Sequence, residues 1–198
     1  MNPAENKTVV AKPSALRFAR PQLRRFLRVV ERVLAVVGLC FVIYQLFFEV
    51  SVIVTGSMSP GLQGESYATG DRVLMEKITP WLRSPRRWEI YFFYNSEGTA
   101  VAKRIVGLPG EKISIKDNKI FINGTEAQPP DGFTLPKYYG YGRLANGKEA
   151  DCGTGYFTLG DDSSDSYDSR YLGLVARKDF RGRAWLILWP FNHLGFVH

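Results

Sequence analysis

The chain has 198 residues, 26 Lys+Arg against 19 Asp+Glu, and two cysteines, a length for one domain with at most an appendage. Hydrophobic content of 45% with charged content of 23% excludes wholesale disorder and a polytopic membrane protein. The net charge of +7 suggests nucleic acid, but its distribution removes that suggestion. Residues 1–32 hold eight basic and two acidic residues, leaving eighteen against seventeen in the rest, a nearly neutral body.

The first predicted element explains the asymmetry. Residues 33–48 carry no charge. As a helix they measure about 24 Å, a little short of the ~30 Å hydrocarbon core. Val29 and Val30 extend the run, Arg32 can snorkel, and Glu49 marks the far end. A buried soluble helix and a cleaved signal peptide are the competing readings. The basic flank on one side alone is the positive-inside pattern, and no small-x-small site follows Phe48. The expected organisation is a basic cytoplasmic tail over 1–28, a transmembrane helix over 29–49 and an extracytoplasmic body over 50–198.

Short strands between turn signals fill that body. Residues 50–54 are β-branched, 71–77 alternate after Gly70-Asp71, and 89–94 are aromatic and apolar. Residues 112–122 read as strand, Asp117-Asn118 turn, strand, closed by Asn123-Gly124. Residues 156–159 and 184–189 complete the set, and 128–151, rich in Pro, Gly and Tyr, read as an irregular loop. Long helical periodicity is absent, so the body is predicted to be all-β.

Cysteine and histidine say little. Cys40 lies in the apolar run and Cys152 in the body, so no internal disulfide is expected. His193 and His198 sit at the extreme C-terminus, and no zinc site is predicted. The Asp/Ser-rich stretch 160–170 lacks the central Gly and terminal Glu of an EF-hand. No metal, nucleotide or coenzyme is implied.

Three segments carry the candidate chemistry. Thr55-Gly56-Ser57-Met58-Ser59-Pro60 follows the first strand, and a glycine before a serine lets the backbone turn and present the hydroxyl. Read alone, it is an ordinary strand-ending turn. Lys103 stands among apolar residues in Val101-Ala102-Lys103-Arg104-Ile105-Val106-Gly107-Leu108-Pro109-Gly110-Glu111, with Arg104 on the opposite strand face. A buried lysine loses its proton more readily, and the neutral amine is a general base. The third segment runs from Gly160-Asp161 to Asp168-Ser169-Arg170.

In order and wording these segments resemble type I signal peptidases, membrane-bound serine endopeptidases that remove signal peptides from exported proteins. Ser57-Met58-Ser59-Pro60 looks like the family's nucleophile box, Gly70-Asp71-Arg72-Val73-Leu74 its next strand, and Lys103 to Glu111 its general-base box. Gly160-Asp161 to Arg170 and Gly182-Arg183-Ala184 resemble two later boxes. The resemblance runs from the apolar segment to about Pro190.

It implies a Ser/Lys dyad: Ser57 as nucleophile, Lys103 as base, and Ser166 hydrogen-bonding the lysine. The oxyanion hole would use the Ser57 N–H and the Thr55 hydroxyl. Pairs of Asp161 with Arg104 and Asp168 with Arg170 would brace the site; solvated pairs of little worth are the competing reading. Ser59, Ser163, Ser164 and Ser169 are read as serines without a nucleophilic role. The partners implied are signal peptides and the lipid bilayer, with no nucleic acid, and the enzyme acts as a monomer. A peptide would add as a strand beside 50–54, small side chains entering shallow pockets. Trp81, Trp88 and Phe92 are weighed as interfacial against core residues.

Departures from the family pattern are Asp162-Ser163, Gly61, a short insertion over 63–68, and a poor third-strand match over 88–93. They touch substrate binding, so a maturation peptidase dedicated to one secretion or conjugation substrate stays open, as does a silent membrane-anchored homologue acting as a binding subunit. For a nucleic-acid or lipid binder only the basic tail speaks.

Overall fold

The computed structural model describes residues 19–130 and 134–197. Contacts divide the chain into two compact units, one up to Ile43 and one from Tyr44 onward. The helix α1 covers Ala19–Phe47, and its apolar side chains, Leu34, Val37 and Phe41 among them, are exposed. Its uncharged part, 33–47, measures about 22 Å. Among the described residues no helix is long and apolar enough to cross a membrane. Most of the predicted basic tail lies outside the described residues.

From Tyr44 onward the architecture is mainly β. The larger sheet takes in β1 (Phe48–Val52), β2 (Arg72–Glu76), β3 (Ile90–Tyr94) and β4 (Ala100–Gly107). The smaller one has β5 (Lys112–Lys116), β6 (Lys119–Ile122), β7 (Thr125–Glu126) and β8 (Ala150–Asp151) in the order β7-β6-β5-β8. Strands β9 (Phe157–Leu159), β10 (Phe180–Trp189) and β11 (Gly195–Phe196) return to the larger sheet, whose order is β1-β2-β10-β3-β4-β9 with β11 on β10. Two single-turn helices, α2 (Thr79–Leu82) and α3 (Ser169–Leu172), lie in the connections. All the strand pairs are antiparallel.

Burial on both faces explains the unbroken apolar text of β3. Ile90 and Phe92 enter a core with Ile53, Met58 and Met75, while Tyr91 and Phe93 pack on Ile105 and Phe180 behind them. A strand covered on both sides need not alternate. Trp88 and Phe92 are therefore core residues, and Trp81 is exposed. The turns meet expectation: Asp117 and Asn118 take φ of 50° and 61°, and Asn123-Gly124 take 50° and 80°, as type I′ hairpins require.

Several features differ from the sequence reading. The helix ends at Phe47 rather than 49 and the first strand is Phe48–Val52 rather than 50–54, because Phe48 and Glu49 pair with Glu76 and Met75 of β2. β10 starts at Phe180 rather than near Ala184, because Gly182 leaves room for the Met75 side chain and Arg183 is neutralised by Glu76 and Glu89. The 128–151 segment is irregular as expected, apart from a 3-10 stretch at Gly142–Gly147 and the two residues of β8.

Two strand edges of the larger sheet stay open near Ser57. β1 is terminal in its sheet. β9 pairs β4 only at Arg104, Ile105 and Gly107, so the β9 side of 100–103 has no strand beside it among the described residues. A groove of about 400 Å³ is lined by 51–54 and 99–102, with Ser57 at its margin.

Candidate active site

Ser57 sits in a 3-10 turn, Gly56–Met58, just past β1. Met58 is buried and anchors the turn; Ser59 N donates to Gly56 O at 2.8 Å and Leu62 N to Met58 O at 2.8 Å. The second wall is the 160s loop, whose Asp162 N donates to Ser57 O at 3.1 Å. Gly160 permits this approach: a Cβ there would collide with the Ser57 carbonyl oxygen and the Ser166 hydroxyl.

Lys103 comes from β4, opposite Tyr91 in register, and is only 3% exposed. Its Nζ donates to Ser57 Oγ at 2.6 Å. Burial lowers its pKa from 10.5 to about 8, against the opposing pull of Asp168 and Asp161. Among the described residues no carboxylate forms an ion pair with this amine, so desolvation wins. Thr55 Oγ1, the hydroxyl expected in the oxyanion hole, lies 3.3 Å from Ser57 Oγ.

The two predicted bracing pairs are dry. Arg104 Nε and Nη2 donate to the two oxygens of Asp161 at 2.7 and 2.6 Å, and Nη1 donates to the Trp88 carbonyl at 2.7 Å. Trp88 holds a left-handed backbone, φ 73°. Arg170 Nε and Nη2 pair with the two oxygens of Asp168, both at 2.8 Å. Its Nη1 donates to Ser163 O and Oγ at 2.8 Å each. Asp168 also accepts from Gly160 N at 3.0 Å, tying the pair to the turn behind Ser57. The solvated alternative is thus excluded, since all four side chains are buried. Bidentate geometry is what makes buried pairs tolerable.

Ser166 reaches the site but makes no bond to the lysine. Its Oγ is buried and has no hydrogen-bond partner among the described residues, because the main chain tied to Arg170 sets the hydroxyl over Gly160. The predicted hydrogen bond from Ser166 to Lys103 is therefore absent from this structure.

Two departures noted in the sequence find a physical reason. At Gly61 a Cβ would strike the Asp161 carboxylate and the Arg104 guanidinium, so the buried pair leaves no space for a side chain. Ser163 turns inward as acceptor for Arg170 and for Tyr139 N at 2.9 Å, a role its text as one serine among four hid. Sequence reasoning also missed Gly160 as the contact between the two serine-bearing segments. Among the described residues no cluster of ligating side chains could hold a metal.

A serine hydroxyl bonded to a desolvated amine, on a β framework beside an open strand edge, is the arrangement of a serine hydrolase whose base is lysine. The profile of the signal peptidase family, peptidase S26, matches residues 26–189. A probable signal peptidase I-2 of Synechocystis sp. is 33% identical over 156 residues, 75% of this chain and 66% of that protein. A signal peptidase I of Leptolyngbya laminosa is 32% identical over 156 residues, 74% of this chain and 71% of that protein. The crystal structure of a signal peptidase I from Enterococcus faecalis is 28% identical with TM-score 0.42, covering 51% of this chain and 97% of that one. The chain belongs to the signal peptidase family, peptidase S26, and so to the serine endopeptidases.

Proposed function

We propose that the chain is a type I signal peptidase that cuts exported preproteins after small-x-small sites, with Ser57 as nucleophile and Lys103 as general base. The observation that carries the reading is the 2.6 Å contact between Nζ and Oγ with the amine out of water. The neutral amine takes the Ser57 proton as Oγ attacks the scissile carbonyl. The Ser57 N–H and the Thr55 hydroxyl stabilise the oxyanion. The Lys103 ammonium then gives its proton to the leaving amine, and an ester to Ser57 remains. Lys103 next takes a proton from the water that attacks the ester and passes it to Ser57 Oγ as the ester bond breaks, which releases the new carboxyl end and restores the hydroxyl and the neutral amine. Ser166 bounds the amine's cavity, and Asp161–Arg104 and Asp168–Arg170 hold the walls.

The peptide enters as a strand along the open edges of β1 and 100–103. Alternate side chains face the groove floor of Ile53, Met58, Phe92 and Ala102, which leaves space for small ones.

The membrane reading rests on α1. Apolar residues exposed along 33–47 belong in hydrocarbon rather than water. The run is shorter than a standard core, a mismatch met by local thinning and by Arg32 snorkelling. The proposed organisation is a tail over 1–28 in the cytoplasm, a membrane segment over 29–47 and the catalytic body from β1 onward outside. The insertion over 63–68 favours a narrower role as a second reading, a peptidase dedicated to one exported substrate.

The test is cleavage of a panel of precursors by the detergent-purified full chain. Ser57→Ala abolishes cleavage, while Ser59→Ala keeps most of it. Turnover persisting in Ser57→Ala refutes the mechanism, and cleavage of one precursor alone selects the dedicated reading.

A further inference from the structure

The insertion between Pro60 and Gly70 has no part in the Ser57 chemistry, yet it is firmly built. Asp71, itself buried, accepts from Gln63 N at 2.7 Å, and Asp71 N donates to Gln63 O at 2.8 Å. Gly70 N donates to Ser66 O at 2.9 Å, and the Ser66 and Thr69 hydroxyls are bonded at 2.9 Å. His193 Nδ1 lies 3.0 Å from the second oxygen of Asp71 and ties the loop base to the C-terminal segment. Gly64 and Gly70 both press on the Ile53 carbonyl, so closely that a Cβ at either would collide with it. Ile53 is also part of the groove floor, so the loop is braced against the groove itself.

At the tip of this braced loop Tyr67 is 76% exposed and lines the same groove as Thr55 and Ser57. An aromatic ring held in water by a tied loop is left largely uncovered among the described residues. It stands where an occupant of the groove would bring apolar surface against it. The buried lining forms the floor, and Tyr67 belongs to the exposed rim. A bound strand sends successive side chains to opposite sides. If the side chains at P1 and P3 face the floor, the one at P2 faces the rim.

We propose that Tyr67 contacts the substrate's P2 side chain and selects apolar or aromatic residues there, giving this groove a third point of discrimination on the side away from its floor. The proposal rests on the peptidase function proposed for the Ser57–Lys103 site. Rim contacts of this kind discriminate by about tenfold, as removal of a small apolar contact does in other sites.

The experiment uses the detergent-solubilised full chain and a peptide series with alanine fixed at P1 and P3 and Gly, Ala, Leu or Phe at P2. The expected result is a kcat/KM about tenfold higher for Leu and Phe than for Gly, expressed in KM. Tyr67→Ala flattens the series, and Tyr67→Phe keeps it. The same series is titrated by fluorescence anisotropy against Ser57→Ala carrying either Tyr67 or Tyr67→Ala, which reads P2 preference without turnover. A preference for Leu and Phe that disappears with the ring upholds the proposal. A P2 profile identical with and without the ring overturns it, as does a uniform loss across the series, which marks the ring as structural. Preferential binding with no cleavage by the unmodified chain keeps the Tyr67 contact and refutes the peptidase reading instead.

Discussion

Lys103 and Arg104 are neighbours on β4 and face opposite sides of it, and both are withdrawn from water. On one side a cation meets a serine hydroxyl and, among the described residues, no bonded carboxylate, and its pKa drops to about 8. On the other a guanidinium meets a carboxylate in two places and a carbonyl in a third. Burial is common to both; pairing is not. The comparison teaches that reactivity here comes from withholding a counter-ion, while rigidity comes from supplying one. Side-chain chemistry reinforces the division, since a guanidinium stays protonated wherever it is placed and an amine does not.

Exchanging the two chemistries has the largest expected effect. Lys103→Arg keeps a donor near Ser57 but has no neutral form, so precursor cleavage falls by at least about 10³-fold, approaching the loss of a whole dyad. A folded Lys103→Arg variant with substantial turnover breaks the comparison at its reactive side. Next comes the paired side. Arg104→Met leaves the Asp161 carboxylate buried without its partner, and thermal or denaturant unfolding should show a loss of about 3–5 kcal/mol. Asp161→Asn in the same chain recovers part of it.

The titration of Lys103 sharpens the same point. The proposed mechanism needs the neutral amine, so the rate is expected to rise with pH through a midpoint of about 8 and to fall tenfold per unit well below it. Stability moves in the same direction. The lysine pKa is lower in the folded state than its usual 10.5, so the unfolded chain binds more protons between about 8 and 10.5 and stability rises with pH across that window. Below about pH 8 the penalty is fully present, up to about 3 kcal/mol. Lys103→Met is therefore inactive but melts higher at pH 7, a gain that shrinks toward pH 10.5. A melting temperature unchanged or lowered at neutral pH argues that the amine is not desolvated. The smallest effect belongs to Ser166→Ala. Because its hydroxyl has no partner in this structure, the loss in cleavage should stay within about tenfold; a larger loss means that substrate brings Ser166 and Lys103 into contact.

How much of the fold and site was legible in the sequence depends on the range of each interaction. The nucleophile turn, the lysine strand and the Asp117-Asn118 hairpin are local strings, and each folded as its text implied. The Arg104–Asp161 pair spans 57 positions, and nothing nearby distinguishes a dry guanidinium from a solvated one. Ser163 was hidden for the same reason: its partners, Arg170 and Tyr139, are fixed only by the closed loop. The start of β10 was masked by Arg181 and Arg183, whose charges read as loop until Glu49, Glu76 and Glu89 are seen beside them. The insertion at 63–68 was visible as extra length, but its place on the groove rim was not.

The half-paired state of β4 has a practical consequence. On the side away from β3, residues 100–103 have no strand beside them among the described residues, while β9 stands in register with Arg104, Ile105 and Gly107. A short peptidomimetic with strand-spaced amides, small groups at P1 and P3 and a boronic acid or aldehyde in place of the scissile amide would occupy that vacancy and capture Ser57. It would be a competitive inhibitor whose potency grows with pH as the amine at 103 loses its proton.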